Sequence, residues 1–266
     1  MPTILAAQYD IVWEDKAANH RLVEELVERE APPEGSLLVL PEMFDTGFSM
    51  KVSKLSEEAT DHASERWAAD FAKRRGLFVQ AASIRRRDAD DKGTNNAVVF
   101  DPNGALVCRY EKVFPFSGGR EPEWYRGGRA LSTFDWRGVT VCPLVCYDLR
   151  FPEIWRLAAL DLGAELFTIG ANWPSARADH WSTLLTARAI ENQAYVCGVN
   201  RSGADPFLEY PGRSKIVDPK GRTLAEADDE SSIVLRAEID PDAAPAWREA
   251  FGALRDARRE FLGRLD

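Results

Sequence analysis

Residues 139–150 read VTVCPLVCYDLR and change from apolar to polar at Cys146. The apolar part, residues 139–145, is typical of a buried β-strand. In α/β proteins the carboxyl end of a buried strand commonly carries reactive groups. The polar turn that starts at Tyr147 leads into a helix-like stretch, so backbone N–H groups surround the sulfur. We predict that this turn favours the thiolate form of Cys146 and can hold an oxyanion.

Two other apolar runs lead to a reactive side chain. Residues 37–41, LLVLP, precede Glu42, and residues 105–111, ALVCRYE, precede Lys112. Glu42 stands between apolar neighbours, where a solvated carboxylate has little reason to lie, and this favours a general base. Lys112 alone is also typical of a lysine whose stem covers apolar surface. Together, a thiol, a carboxylate and an ammonium group at three strand ends are suited to attack on an amide or nitrile carbon, so the sequence predicts an enzyme.

Composition limits the class of protein. The 266 residues are 45% hydrophobic and 10% aromatic, which suits a packed globular protein, and we interpret residues 1–266 as one domain. The net charge of -9 argues against nucleic-acid binding, which needs clustered Lys and Arg. No apolar stretch approaches ~18 residues, and no charged leader precedes the first strand. We therefore expect a cytoplasmic protein, with no membrane partner, that acts on a small molecule.

The four cysteines lie in or beside apolar runs, and their spacing does not match a small disulfide scaffold. We expect reduced thiols, and we assign Cys108, Cys142 and Cys197 to the core. Cys142 and Cys146 would lie roughly 13 Å apart on an extended strand, too far for one metal ion. The three histidines are scattered, so we expect neither a metal site nor a Ser-His-Asp triad.

Alternating periodicities predict strands and helices in an α/β order. The predicted strands are residues 4–9, 37–40, 77–84, 166–171 and 194–200, and the predicted helices are residues 18–27, 57–75, 152–162 and 178–192. Turns of the type Asp-Pro-x-Gly at residues 101–104 and 218–221 predict two hairpins, which add antiparallel pairs. A last helix is predicted over residues 244–262. It either covers the sheet or reaches a second subunit.

Three segments resemble the signature segments of a known family. They are LPEMF at residues 40–44, YEKVFPF at residues 110–116 and LVCYDLRFPE at residues 144–153. In this order, Glu then Lys then Cys, they are similar to the three motifs of the nitrilase superfamily of carbon-nitrogen hydrolases. The resemblance implies an α/β (α+β) fold, a four-layer α-β-β-α sandwich, that forms a homodimer or larger homo-oligomer through helices beside the site.

The resemblance also implies roles for individual residues. Cys146 would be the nucleophile and Glu42 the general base of a hydrolysis that proceeds through a thioester. Lys112 and the backbone N–H of Tyr147 would stabilise the oxyanion. No cofactor and no metal are implied.

A second acid and one departure complete the comparison with the family pattern. Glu121, in the segment GREPE, is the best match to a second acid that follows the lysine segment, and Glu123 is the alternative. Many members have His two residues after the lysine, where this chain has Phe114. This difference concerns the polarity of the pocket wall.

Further segments are similar to the bacterial omega-amidase branch of the superfamily. They are residues 8–15, 172–174 and 187–193, which read QYDIVWED, NWP and ARAIENQ. This similarity implies a short dicarboxylic acid monoamide as substrate, such as 2-oxoglutaramate or 2-oxosuccinamate. N-carbamoyl amines and nitriles are alternative substrates of the same three residues. A non-catalytic binding protein on the same fold is the alternative from another class.

Four residues are candidates for substrate binding. Asn172 and Trp173 follow a predicted strand end, where side chains can line a pocket, although Trp173 is equally suited to core packing. A substrate carboxylate needs a cation, and Arg150 or Arg177 could supply it. The sequence does not choose between these two arginines.

Overall fold

The computed structural model describes residues 1–56, 62–86, 92–229 and 232–262. The strands are β1 (Thr3–Gln8), β2 (Leu37–Val39), β3 (Phe78–Arg86), β4 (Gly93–Phe100), β5 (Leu106–Glu111), β6 (Tyr125–Arg126), β7 (Phe134–Trp136), β8 (Val139–Val145), β9 (Leu166–Ala171), β10 (Tyr195–Asn200), β11 (Ser202–Ala204), β12 (Glu209–Pro211), β13 (Lys215–Val217), β14 (Thr223–Glu226) and β15 (Ile233–Glu238). The helices are α1 (Lys16–Glu30), α2 (Val52–Leu55), α3 (Ala63–Arg75), α4 (Glu121–Trp124), α5 (Pro152–Asp161), α6 (Ala178–Asn192) and α7 (Ala243–Ala250).

The described strands form two large sheets and one small hairpin. The first sheet contains seven strands in the order β15-β1-β2-β3-β4-β5, with β6 beside β4. The second contains six strands in the order β14-β13-β10-β9-β8-β7, and β11 pairs only with β12. β1, β2 and β3 are parallel to one another, as are β8, β9 and β10. Each sheet therefore has an edge at which the carboxyl ends of parallel strands lie together.

Alternate strand residues enter different apolar clusters, because they point to opposite faces of a sheet. In β1, Leu5 packs with α1 and α3, whereas Ile4 packs against the second sheet. In β8, Val141 packs against the first sheet, whereas Leu144 packs with α5 and α6. Both sheets are thus covered on both faces. The result is a four-layer α-β-β-α sandwich, which confirms the predicted fold class.

Most predicted elements lie where the sequence places them. β9 and α6 have the predicted bounds. The turn at residues 101–104 joins antiparallel β4 and β5, and the turn at residues 218–221 joins antiparallel β13 and β14, so both hairpins are confirmed. α3 begins at Ala63, and residues 57–61 of the predicted helix lie outside the described residues.

The C-terminal helix is shorter than predicted. α7 ends at Ala250, so the helix predicted over residues 244–262 is wrong beyond that point. Phe251 is extended, and the Gln193 side chain donates to its carbonyl oxygen at 2.6 Å and accepts from the Leu254 N–H at 3.2 Å. These bonds take the place of helical ones and let Leu254 pack in the core, while Phe251 stays exposed.

Two expectations from the sequence concern the cysteines and membrane-spanning helices. All four cysteines are free and buried. In the described ranges, no helix is long and apolar enough to span a bilayer.

Candidate active site

Cys146 begins a tight turn at the carboxyl end of β8. The turn, Cys146–Arg150, leads into α5, and the φ angle of Cys146 is 46°. This left-handed region is unfavourable for a residue other than glycine, so surrounding contacts must hold the backbone in place. Asp148 does so in part, because its Oδ2 accepts from the Val145 N–H at 3.0 Å. The sulfur lies 3.9 Å from the carbonyl oxygen of Asn172.

Asp148 also ties this turn to the lysine segment. Its Oδ2 accepts from the Tyr110 hydroxyl at 2.8 Å, and its Oδ1 accepts from the Phe114 N–H at 3.0 Å. Burial raises the pKa of Asp148 to about 7, although the charge of Lys112 and these hydrogen bonds act to lower it. The turn after β8 and the segment after β5 are therefore fixed relative to each other by one buried carboxyl group.

Glu42 follows β2 and is buried against the second sheet. Its Oε2 accepts from the Asn172 N–H at 3.1 Å, and its carbonyl oxygen accepts from the Asn172 side-chain amide at 2.6 Å. Gly170 of β9 makes this approach possible, because a Cβ atom there would lie 2.8 Å from the Glu42 nitrogen. Burial and the charge of Glu42 both raise the pKa of the Cys146 thiol, while the hydrogen bond of that thiol goes to the Asn172 carbonyl oxygen. Glu42 therefore lies near residues that follow both β8 and β9.

Lys112 lies between two carboxylates in the interior. Its ammonium group donates to Glu42 Oε1 at 2.8 Å and to Glu121 Oε2 at 2.8 Å, and the residue is 1% exposed. Burial acts to lower the pKa of Lys112, but the charges of Glu121 and Glu42 raise it well above its ordinary value. Lys112 is therefore a buried, charged group and not a lysine that reaches the solvent.

The two candidate acids after the lysine segment lie in different surroundings. Glu121, at the start of α4, is buried, and its Oε2 accepts from the Phe116 N–H at 2.5 Å. Glu123 is exposed and pairs with Arg120. The structure thus places Glu121, and not Glu123, beside Lys112.

The expected thiolate form of Cys146 is wrong for the resting protein. Burial raises the pKa of Cys146 well above its ordinary value, and the charge of Glu42 raises it further, while Lys112 acts to lower it. The helical turn beside the sulfur does not overcome these effects. Cys146 therefore rests as a neutral thiol, which needs a base to become a nucleophile.

A cavity of about 760 Å³ opens over the thiol. Its lining includes Cys146 together with Asn172, Trp173, Arg150 and Arg177. All four residues predicted to bind substrate therefore lie at the same cavity as the thiol. Asn172 also donates a backbone hydrogen bond to Glu42, so the same residue holds the carboxylate and lines the cavity.

One side of this cavity is cationic. Arg150 lies over the Trp173 ring, 4.6 Å from its centre, and Trp173 belongs to the core as well as to the cavity wall. Burial lowers the pKa of Arg150, as does the charge of Arg177. In the described ranges neither arginine pairs with a carboxylate; Arg150 contacts the His180 ring, and Arg177 lies over Phe116. Two such cations suit a ligand that brings its own carboxylate.

Tyr147 lines the cavity, whereas Phe114 does not. Tyr147 is the second residue of the helical turn, where a backbone N–H has no acceptor within the turn, so this N–H is available beside the sulfur. Phe114 stacks on Phe151 with ring centres 3.7 Å apart and does not line the cavity. The departure from His at this position therefore changes the packing behind the turn and not the cavity wall.

Known proteins share both the sequence and the fold. The sequence model of the family described as carbon-nitrogen hydrolase matches residues 3–249. The chain belongs to this family. The resemblance to the nitrilase superfamily, inferred from three segments, is thereby confirmed.

The relatives of this carbon-nitrogen hydrolase match over nearly the full length. The 2-oxoglutaramate amidase of Bacillus subtilis is 36% identical over 260 residues, which cover 97% of this chain and 98% of that protein. An omega-amidase of Escherichia coli K12 is 36% identical over 255 residues, 96% of each chain. A superfamily member from Xanthomonas campestris, solved with an arsenic adduct in its active site, has a TM-score of 0.90 at 34% identity and covers 98% of this chain and 99% of its own. The matches thus include every segment that forms the site.

Sequence reasoning missed two residues of this carbon-nitrogen hydrolase. Asn95 donates to both Glu42 and Glu121, and Asp148 holds the cysteine turn. A signal for Asn95 is present, since two asparagines interrupt the buried strand GTNNAVVF and a buried amide needs partners. The signal for Asp148 is an acidic residue in the first turn of a helical segment, where it can accept from backbone N–H groups.

Proposed function

We propose that this carbon-nitrogen hydrolase is an omega-amidase, which cleaves the terminal amide of a short dicarboxylic acid monoamide such as 2-oxoglutaramate to the diacid and ammonia. One observation carries the proposal: the Cys146 thiol, with the Glu42 carboxylate near it, opens into the same cavity as Arg150, which pairs with no carboxylate in the described part of the chain. The thiol suits attack on an amide, and the cation suits the distal carboxylate. The relatives named 2-oxoglutaramate amidase and omega-amidase support this substrate.

The first half-reaction forms a thioester. Glu42 takes the proton of the Cys146 thiol, and the sulfur attacks the amide carbonyl carbon. Negative charge develops on the carbonyl oxygen, and the Lys112 ammonium and the Tyr147 N–H stabilise it. Because Lys112 already lies between Glu42 and Glu121, its charge is in place before the reaction starts, and little reorganisation is needed.

Collapse of the tetrahedral intermediate completes the first half-reaction: protonated Glu42 gives its proton to the leaving nitrogen, ammonia departs, and the thioester is formed. The second half-reaction releases the acid. Glu42 takes a proton from a water molecule, which attacks the thioester carbon. The carbon–sulfur bond breaks, the proton returns to the sulfur, and the carboxylate product leaves. The cycle is a redox-neutral hydrolysis that these side chains can complete without a cofactor.

Arg150 is the better candidate for the substrate carboxylate. It lines the same cavity as Cys146 and Tyr147, and the Trp173 ring supports its guanidinium. Arg177 lies over Phe116 and adds positive charge to the same wall. A guanidinium can bind a carboxylate through two parallel hydrogen bonds, which would orient the far amide toward the thiol.

The proposal extends to the assembly and the compartment. The family resemblance supports a homodimer or larger homo-oligomer formed through helices beside the site, and exposed Ile190 and Phe251 suit such contacts. Four free thiols, one of them the proposed nucleophile, are suited to the reducing cytoplasm. Light scattering on the purified protein measures the oligomeric state directly.

A panel of three substrates tests the proposed function. Catalytic efficiency is measured on 2-oxoglutaramate, on an N-carbamoyl amino acid and on an aliphatic nitrile, with ammonia release as the readout and Cys146→Ala as the blank. We expect 2-oxoglutaramate to be preferred. A preference of more than about tenfold for either of the others, ~1.4 kcal/mol in transition-state binding, would overturn the omega-amidase assignment. Absence of turnover on all three would favour a binding protein.

A further inference from the structure

Asn95 lies between the two buried carboxylates of the site. Its side-chain amide donates to Glu42 Oε1 at 2.8 Å and to Glu121 Oε1 at 3.1 Å. The chemistry of the partners sets the orientation of this amide, because a carboxylate oxygen accepts hydrogen bonds and only the NH₂ end of asparagine donates them. One NH₂ group therefore bridges a carboxylate that follows β2 and a carboxylate that begins α4.

The backbone of β4 brings Asn95 next to Lys112. The carbonyl oxygen of Asn95 accepts from the Lys112 N–H at 2.9 Å. The Lys112 ammonium donates to the same two carboxylates, Glu42 and Glu121. Lys112 and Asn95 thus each donate to both carboxylates. The Asn172 N–H adds a bond to Glu42 Oε2, and the Phe116 N–H adds one to Glu121 Oε2.

Asn95 links the two carboxylates without adding a charge. Glu42 Oε1 accepts hydrogen bonds from Asn95 and from Lys112, so loss of the amide would leave this oxygen to the lysine, which also bonds to Glu121. Small displacements of a catalytic group cost large factors in rate. The amide therefore helps to fix where the Glu42 carboxylate lies.

The other titratable groups near Glu42 do not replace this amide. Cys146 lies on the turn after β8 and Tyr125 on β6, and burial raises the pKa of both above their ordinary values. Both are therefore neutral at rest. Asp148 interacts with Lys112 from the cysteine turn and makes its hydrogen bonds elsewhere.

Folding alone gives little reason for an asparagine at this position. The Asn95 Oδ1 is buried and has no hydrogen-bond partner among the described residues. A buried acceptor without a partner costs stability, so the residue is not optimal for the fold. What Asn95 provides at this position is the pair of hydrogen bonds from its NH₂ group to Glu42 and Glu121.

We infer that Asn95 is a positioning residue that holds the Glu42 carboxylate in place relative to Glu121, so that Glu42 is correctly placed to accept the Cys146 proton. The inference rests on the proposed role of Glu42 as the base. It goes beyond that role, because it names the group that fixes the position of the base.

Asn96 offers a matched control on the same strand. It is buried like Asn95, but its side-chain amide donates to the carbonyl oxygens of Ser83 at 2.9 Å and Thr94 at 3.0 Å. The Asn96 amide thus bonds to backbone carbonyl groups and not to the carboxylates of the site. Asn95→Ser and Asn96→Ser each remove a buried amide from β4, and only the first removes it from the site.

Steady-state kinetics on 2-oxoglutaramate from pH 5 to pH 9 compare the two variants. We expect Asn95→Ser to lower kcat by about 10- to 100-fold while KM changes by less than about threefold. A loss in kcat at nearly constant KM is expected because the base is misplaced while the substrate-binding wall of the cavity is untouched. Asn96→Ser should lose less than about threefold in kcat.

Alkylation of Cys146 by iodoacetamide gives a readout that does not depend on the substrate. The rate is followed by intact-mass spectrometry across the same pH range, with Cys146→Ala as the blank. At pH 7 the alkylation rate of Asn95→Ser should fall relative to wild type, because Glu42 is displaced from the position in which it accepts the thiol proton, and Asn96→Ser should alkylate at the wild-type rate. If wild-type protein fails to hydrolyse 2-oxoglutaramate, the proposed substrate fails, and the alkylation rates still decide the role of Asn95.

Asn95→Asp is a second variant, which keeps the shape of the side chain. It allows the test to proceed if Asn95→Ser does not fold. It places a third carboxylate beside the other two, so at pH 7 it should lose more activity than Asn95→Ser and alkylate more slowly. Circular dichroism and urea unfolding establish that each variant is folded. Wild-type kinetics and alkylation in Asn95→Asp, or equal losses of kcat and of alkylation rate in Asn95→Ser and Asn96→Ser, would overturn the inference.

Discussion

Gly170 of β9 lies against the backbone of Glu42, and a Cβ atom at this position would stand 2.8 Å from the Glu42 nitrogen and 2.5 Å from the carbonyl oxygen of Leu40. Both neighbours are backbone atoms, which cannot rotate away as a side chain can. The two sheets therefore meet here with no side chain between them. The separation of Glu42 from the residues after β9 depends on this glycine.

Gly170→Ala should push Glu42 away from Asn172 and lower kcat by at least about tenfold, because small displacements of a catalytic group cost large factors in rate. It should also lower stability by about 1–3 kcal/mol, the usual cost of added volume in a packed interior. Steady-state kinetics and urea unfolding measure the two effects.

Gly198→Ala is the matched control for this prediction. A Cβ atom there would meet the Leu185 side chain at 2.5 Å, on the helix side of β10 and away from Glu42. This variant should lose stability and keep kcat per folded molecule. If both variants keep wild-type kcat, the close contact at Gly170 matters for folding alone.

Glu42→Gln should lose acylation as well as deacylation, by a factor of at least ~100, because one group acts as the base in both half-reactions. Intact-mass spectrometry after rapid mixing with substrate follows the acyl-enzyme. Glu123→Gln is the control, since Glu123 is exposed and pairs with Arg120, and it should retain activity. Should Glu42→Gln acylate at the normal rate, the base is another group, with Glu121 the first candidate.

Arg150→Gln should lower kcat/KM for 2-oxoglutaramate by about 10- to 100-fold, the loss of a charge-assisted pair with the substrate carboxylate. A neutral amide such as propionamide has no carboxylate, so its kcat/KM should change by less than about threefold. Arg177→Gln, at the same wall, should show a smaller loss on the charged substrate. Equal losses on both amides would mean that Arg150 supports the cysteine turn and does not bind the carboxylate.

The sequence reveals the strand ends of this site because burial leaves a local pattern. Apolar runs stop where Glu42, Lys112 and Cys146 begin, and the change is visible in one window of the chain. The runs before Glu42 and Cys146 are buried on both faces, whereas Leu106 and Val107, in the run before Lys112, are exposed. The bounds of β9 and α6 are predictable for the same reason, since each is a long periodic segment between clear stops.

Relations between distant segments leave no such pattern. Asn95 and Glu42 are 53 residues apart, and only the pairing of β2, β3 and β4 brings them together. The raised pKa of Cys146 depends on Glu42 from the facing sheet, so the local turn predicted the wrong protonation state. The end of α7 depends on Gln193, whose side chain bonds to Phe251 and Leu254 across more than fifty residues of sequence.

The buried carboxyl of Asp148 makes stability depend on pH. Burial raises its pKa from 3.8 to about 7, so between these values the folded protein holds a proton that the unfolded chain has released. The stabilisation from this protonated carboxyl is fully present below the pKa that Asp148 has in the unfolded chain. It is lost as the pH rises through the pKa that Asp148 has in the folded protein. The free energy of unfolding should therefore fall between about pH 4 and pH 7, by at most ~1.4 kcal/mol per pH unit from this group.

Asp148→Asn removes this titration, because an amide is neutral at every pH. Urea unfolding at pH 5, 6, 7 and 8 should show wild type more stable than the variant at pH 5, with the difference shrinking toward pH 8. The variant is destabilised at low pH because its amide cannot accept from the Val145 N–H, the Phe114 N–H and the Tyr110 hydroxyl as the carboxyl does. Asp70→Asn, at an exposed site on α3, should give a curve parallel to wild type. A constant difference between Asp148→Asn and wild type over the four pH values would show that Asp148 has the same pKa in both states.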